Sequence, residues 1–190
     1  MKILVTGSAG HLGEALARTL LNLQHEVVGL DILESPFTTR VGSILHRSCV
    51  RRCMSGVQVV FHPATLHKPH LATHHRQDFV DTNISGTLNL LEEAVEAGVE
   101  SFVYTSTTSV SGDALLRPAG APAAWITEDV TPLPKNIYGA TKAAAEDIRL
   151  HIPGRALALN GEAGNCCRAL NACMSTSVLE TNLGGCHDTT

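Results

Sequence analysis

Three glycines fall within seven residues of the stretch VTGSAGHLGEAL, 5–16. Gly7, Gly10 and Gly13 follow the apolar run KILV (2–5) and lead into HLGEALARTLLNL (11–23). The run reads as a short buried strand. In the second segment Leu12, Leu16, Leu20 and Leu23 recur at spacings of four, four and three, the stripe of an amphipathic helix. A glycine inside a regular element costs roughly 0.5–1 kcal/mol relative to alanine, so three at one strand-to-helix turn imply a compensating role. A bound phosphate supplies one. Gly7 permits a tight turn, Gly10 lets the backbone approach a pyrophosphate with no Cβ in the way, and Gly13 lets the helix lie close on the sheet. The helix N-terminus then offers unpaired N–H groups and a positive dipole end. The strand EVVGLD (26–31) ends on Asp31, 18 residues after Gly13. A carboxylate there can bond the ribose hydroxyls of NAD and repel the additional phosphate of NADP.

The strand–helix pattern continues. A short helix is expected over 46–54, a strand over VQVVFH (57–62), a long helix over 79–98 with Gly98 as its C-terminal stop, a strand over ESFVYTST (100–107) and a helix over 139–150. The segment 112–137, with Pro118, Pro122, Pro132 and Pro134, reads as loop. Such alternation predicts an α/β fold with a parallel sheet covered on both faces, and right-handed crossovers make it doubly wound, a Rossmann fold. Residues 1–150 are expected to form this domain. Beyond them the periodicity weakens; RALALN (155–160) suits a strand and CCRALNACM (166–174) a short helix, but no further βα unit is evident. The segment 151–190 is expected to be an atypical, poorly ordered tail.

The formal net charge is −4 without a basic run, which argues against nucleic acid or an anionic membrane as the main partner. No apolar stretch approaches the roughly 18 residues of a membrane span. The N-terminus reaches its glycines, His11 and Glu14 before a secretory apolar core can form, so a cytoplasmic protein with reduced thiols is expected. Of six cysteines, Cys49 and Cys53 share a helix and the others lie after residue 165; none forms paired CxxC spacing. His67, His70, His74 and His75 cluster without an interleaved acid or cysteine and read as solvated side chains. No metal site is expected.

The order of motifs adds a resemblance. TGSAGHLG, VVFHPAT, NISGTLNLLEEAVEAGVESFVYTSTTSV and YGATK, in this order and spacing, resemble the short-chain dehydrogenase/reductase superfamily of extended type. That group holds NAD-dependent epimerases, dehydratases and sugar-nucleotide dehydrogenases. The resemblance covers residues 1–150. It implies NAD as cofactor, held by Gly7, Ala9, Gly10, His11, Leu12, Gly13, Asp31, Ser43, Ile44, Ala64, Asn83, Tyr138 and Lys142. It implies Thr107, Tyr138 and Lys142 as the catalytic residues, with Ser106 the alternative to Thr107. Departures from the family pattern are Pro63 and Thr65 in the turn after His62, Ser43 in place of a frequent aspartate, and Ser111 in place of a frequent tyrosine. The family's C-terminal substrate-binding region has no match after residue 150 and is expected to be truncated or replaced.

The implied chemistry is proton transfer coupled to hydride transfer. Tyr138 and Lys142 are four apart and share a helix face. Tyrosine is a poor base at neutral pH, but a neighbouring ammonium stabilises its phenolate. Tyr138 can then take a proton from an alcohol while the nicotinamide takes the hydride, with Thr107 orienting the substrate oxygen. The substrate implied is small, hydroxylated and sugar-like, and the long helices are expected to offer a homodimer interface. The other reading is a non-catalytic NAD-binding module, or an inactive shortened form of such an enzyme.

Overall fold

Ile3, Leu4 and Val5 bury their side chains on alternating faces, and the strand that holds them, β1 (Lys2–Thr6), lies inside the sheet. The computed structural model describes residues 1–122, 125, 127 and 130–152, and the backbone of 159–160. Strands β2 (Glu26–Asp31), β3 (Arg40–Val41), β4 (Val59–His62), β5 (Ser101–Thr105) and β6 (Leu159–Asn160) complete a six-stranded sheet in the order β3-β2-β1-β4-β5-β6. Every pairing is parallel, with Leu4 opposite Val28 and Val60, and Val60 opposite Phe102. This is the doubly wound Rossmann order.

Both faces of the sheet are apolar, as a buried parallel sheet requires. On one face Ile3, Val5, Val59 and Phe61 meet Leu16 and Leu20 of α1 (His11–Asn22). On the other, Leu4, Val60, Phe102 and Tyr104 pack with Val50 of α2 (Arg47–Cys53), Leu90 and Leu91 of α4 (Gly86–Glu96) and Ala145 of α5 (Ile137–Leu150). Two arginines fasten α2 to α4. Arg47 Nε and Arg51 Nε donate to the buried carboxylate of Glu93 at 2.6 and 2.9 Å and hold its carboxyl below the usual carboxylate range.

The differences from the sequence expectation are local. The helix expected over 79–98 begins three residues earlier as α3 (Arg76–Phe79), and passes through a π-helical turn, Val80–Ser85, before α4. Its end is as expected: Gly98 adopts φ +70° and its N–H donates to Val95 C=O at 3.1 Å. β3 was not expected, since two exposed residues carry no period. α5 starts at Ile137 because Asn136 caps it, its Oδ1 accepting from Gly139 N–H at 3.0 Å. β6 falls within 155–160, so the sheet draws a strand from beyond residue 150; the helix expected over 166–174 lies outside the described residues. No helix among the described residues is long and apolar enough to cross a membrane.

Candidate active site

The carboxyl ends of β1, β2, β4 and β5 carry the expected site, at the edge where open parallel sheets take ligands. The three glycines of the first turn have three different environments. Gly7 adopts φ +64° and donates its N–H to Leu30 C=O at 2.8 Å; a Cβ there would lie 2.9 Å from Ala64 Cα. At Gly13 a Cβ would lie 1.9 Å from Gly7 O, so only glycine lets α1 start this close to the turn. A Cβ on Gly10 would meet only Gly7 O, at 3.2 Å, and otherwise enter space free of protein. Gly10 is the N-cap of α1 and no side chain caps the helix, so His11, Leu12 and Gly13 present its first-turn N–H groups.

Asp31 closes the other side of this cradle. Its Oδ2 accepts from Ala9 N–H and its Oδ1 from Leu33 N–H, both at 2.9 Å. A carboxylate offers about four acceptor positions, so capacity remains for ribose hydroxyls. Beyond β3, Ser43 Oγ accepts from Leu45 N–H at 3.1 Å. Ile44 buries its side chain against Gly86, where a Cβ would lie 2.6 Å from it, and its C=O accepts from Asn89 Nδ2 at 3.1 Å. The side chain of Ile44 therefore faces the helix layer, and α4 holds the Ser43–Ile44 turn in place.

A buried relay ties the end of β4 to its neighbours. Thr87 Oγ1 donates to Asn83 C=O at 2.7 Å, so it accepts from His62 Nε2 at 3.0 Å. His62 Nδ1 must then accept from Thr6 Oγ1, at 2.7 Å, and Thr6 Oγ1 in turn accepts from Ala64 N–H at 3.3 Å. Each proton in the chain has one place to go. Full burial, reinforced by the charge of Lys142, pulls the His62 pKa down to about 3 and keeps the ring neutral. The relay sets the position of Ala64 against Gly7.

Asn83 sits in the π-helical turn and is 2% exposed. Such turns often occur at functional sites. Its Oδ1 accepts from Thr65 Oγ1 and Leu66 N–H, both at 2.9 Å, and its Nδ2 donates to Leu66 C=O and Thr141 Oγ1, both at 3.0 Å. Its amide is thus engaged by protein, and it pins the loop after β4 to α5. Thr65, one of the departures from the family pattern, supplies part of that grip.

The Tyr138–Lys142 pair lies in the first two turns of α5. Gly139 lets this helix approach β5's exit: a Cβ there would lie 2.3 Å from Ser109 O. Tyr138 is 8% exposed and Lys142 1%. The Lys142 ammonium donates to Thr105 C=O and lies 3.9 Å from the centre of the Tyr104 ring. Burial pulls its pKa down to about 7, against the raising effect of Glu146. Burial, with Glu146 and Tyr138 nearby, pushes the Tyr104 phenol well above its ordinary value. The two candidate hydroxyls now separate. Ser106 Oγ donates its proton to Glu146 Oε1. Thr107 Oγ1 accepts from Ser109 N–H at 3.2 Å and so keeps its own proton to give. The sequence reading did not include Thr6, His62, Thr141 or Glu146 among the site residues. Thr6, His62 and Thr141 lie inside the motifs TGSAGHLG, VVFHPAT and YGATK, and Glu146 stands four residues after Lys142 on the same helix face.

A glycine turn before a bare helix start and a buried Tyr/Lys pair lie on one doubly wound sheet. The chain belongs to the NAD dependent epimerase/dehydratase family, which it matches over residues 3–158. It is 32% identical over 167 residues to a UDP-glucose 4-epimerase of Erwinia amylovora, covering 78% of this chain and 47% of that one. It is 35% identical over 119 residues to a 3-beta-hydroxysteroid dehydrogenase of Mycolicibacterium neoaurum, covering 57% of this chain and 32% of that one. Among solved structures, a short-chain dehydrogenase/reductase superfamily protein from Agrobacterium tumefaciens with bound NAD is 31% identical, with a TM-score of 0.71 over 85% of this chain and 48% of that one. The chain thus spans about a third to a half of the length of these relatives. NAD is the family's cofactor, and the open space at Gly10, the bare start of α1 and the spare acceptors of Asp31 fit it.

Proposed function

We propose that this chain carries the cofactor-binding and proton-transfer half of an NAD-dependent oxidoreductase or epimerase acting on a hydroxylated, sugar or nucleotide-sugar substrate. The observation that most supports this is the convergence of the Gly10 cradle, Thr107 and the Tyr138–Lys142 pair on one sheet edge. NAD, when bound, takes up or returns a hydride. The chain's residues do the remaining work. His11, Leu12 and Gly13 N–H groups bind the pyrophosphate, with Ser43, Ile44 and Ala64 flanking the cofactor. Thr107 Oγ1 donates to the substrate oxygen and orients it. Tyr138 Oη takes the hydroxyl proton, or gives it back, and Lys142 holds the nicotinamide ribose and stabilises negative charge on the Tyr138 oxygen. A second copy packing on α4 and α5 belongs to the same reading, and light scattering of the purified chain tests it.

Titration of the purified chain with NAD, followed by a screen of nucleotide sugars and sugar acids for NADH formation, tests the whole reading. Saturable NAD binding is expected, and its absence overturns the reading. Asp31→Ala should narrow the preference for NAD over NADP by about 1–3 kcal/mol, because a charge-assisted hydrogen bond and a like-charge repulsion go together. Comparing the two dissociation constants in variant and parent checks this. A second reading, an NAD-binding module without turnover of its own, rests on the open space at Gly10 and the spare acceptors of Asp31 alone. NAD binding with no NADH formed from any substrate screened would favour it.

A further inference from the structure

We propose that Glu146 is a positioning residue of this site: its carboxylate, held in place by Ser106, keeps the buried Lys142 ammonium charged. The proposal rests on the reading of Lys142 as the cation that serves Tyr138 and the cofactor ribose. An ammonium that is 1% exposed has lost its water and needs a counter-charge. Among the described residues, the Thr105 carbonyl that accepts from it and the Tyr104 ring beside it carry none. The titratable groups around it, among the described residues, are His62 on β4, Tyr104 on β5, and Tyr138 and Glu146 on α5. His62 is neutral and Tyr104 is kept protonated, and Glu146 is the one carboxylate in this set.

Glu146 is built to stay there. It stands one turn beyond Lys142 on α5, and Ser106, 40 residues away at the exit of β5, donates to its Oε1. Burial, with Asp147 adding to it, raises its carboxyl above the usual carboxylate range, and the Ser106 hydrogen bond, Lys142 and Arg149 limit that rise. The same bond commits the Ser106 proton to Glu146, while Thr107 keeps its own. A purely structural hydrogen bond would be served as well by glutamine as by glutamate. Charge support would not.

The test follows Lys142 directly in the full chain. With its lysines labelled with 13C at Cε, only four resonances arise, from Lys2, Lys68, Lys135 and Lys142, and arginine replacement of the other three assigns the last. In the unaltered chain Lys142 should titrate near neutrality and show a second inflection where the Glu146 carboxyl titrates. Glu146→Gln should move the Lys142 titration down by about one pH unit, the low end of what a nearby opposite charge supplies. Glu146→Asp should restore most of it. A Lys142 titration unchanged in Glu146→Gln overturns the proposal. If that variant does not fold, the unaltered chain decides alone, and the lack of the second inflection overturns it. NAD titrations across the same pH range run in parallel. Failure of the unaltered chain to bind NAD would sink the functional reading, and the NMR result would still decide the role of Glu146.

Discussion

Tyr138→Phe should lower turnover by about 10²–10⁴-fold, the span that positioned acid–base catalysis contributes, and leave NAD affinity nearly unchanged. The substitution removes one oxygen from a side chain that is 8% exposed in the first turn of α5. The ring still fills its place, Asn136 still caps the helix through Gly139, and Lys142 is untouched. What disappears is the group that, in the proposed function, takes the proton from the substrate hydroxyl. In the same proposal Thr107 cannot replace it, because its hydroxyl is the donor that orients the substrate oxygen. Single-turnover rates on whichever substrate the screen identifies, set beside the NAD dissociation constant, separate chemistry from binding. A loss of turnover matched by an equal loss of NAD affinity would assign Tyr138 to binding instead. Lys142→Met provides the contrast: it should impair both quantities, since the proposed role of the ammonium is to serve the ribose as well as the Tyr138 oxygen.

The Tyr138–Lys142 pair could be read from the chain because a helix places positions four apart on one face. The glycine turn was legible for a similar reason: a strand, three glycines and an amphipathic helix are contiguous, so local rules suffice. What the sequence hid was contact between distant segments. Ser106 and Thr107 are neighbours of like chemistry, and only the approach of Glu146 on α5 spends the proton of one and spares the other. Asn83 reads as an ordinary helical polar residue until the π-helical turn aims its amide at Leu66 and Thr141. His62 lies in an apolar run and gives no period of its own; its role depends on Thr6 and Thr87 converging on the two ring nitrogens. Gly86 and Gly139 each look like weak points in a helix, yet each marks a place where another segment, Ile44 or Ser109, comes too close for a Cβ. β3 escaped for want of length, and its register against Leu30 and Asp31 is set by β2 rather than by its own two residues.

Gly10→Val should abolish saturable NAD binding and leave the fold standing. The backbone at Gly10 has φ −81° and ψ 162°, an extended conformation that valine adopts without strain. The first atom added would face only Gly7 O, at 3.2 Å, and the methyls beyond it would project into the open space before α1. That is where the pyrophosphate must lie to receive the N–H groups of His11, Leu12 and Gly13. Loss of glycine as N-cap costs the helix about 1 kcal/mol, which a domain with this core tolerates. Circular dichroism and thermal melting should therefore resemble those of the unaltered chain, while the NAD titration goes flat. Gly13→Ala supplies the opposite case at the same turn. Its single methyl would lie 1.9 Å from Gly7 O, so α1 must move away from the sheet, and the melting curve itself should shift downward. If Gly10→Val binds NAD as tightly as the parent, the cradle is not the phosphate site, however well the glycines suit one.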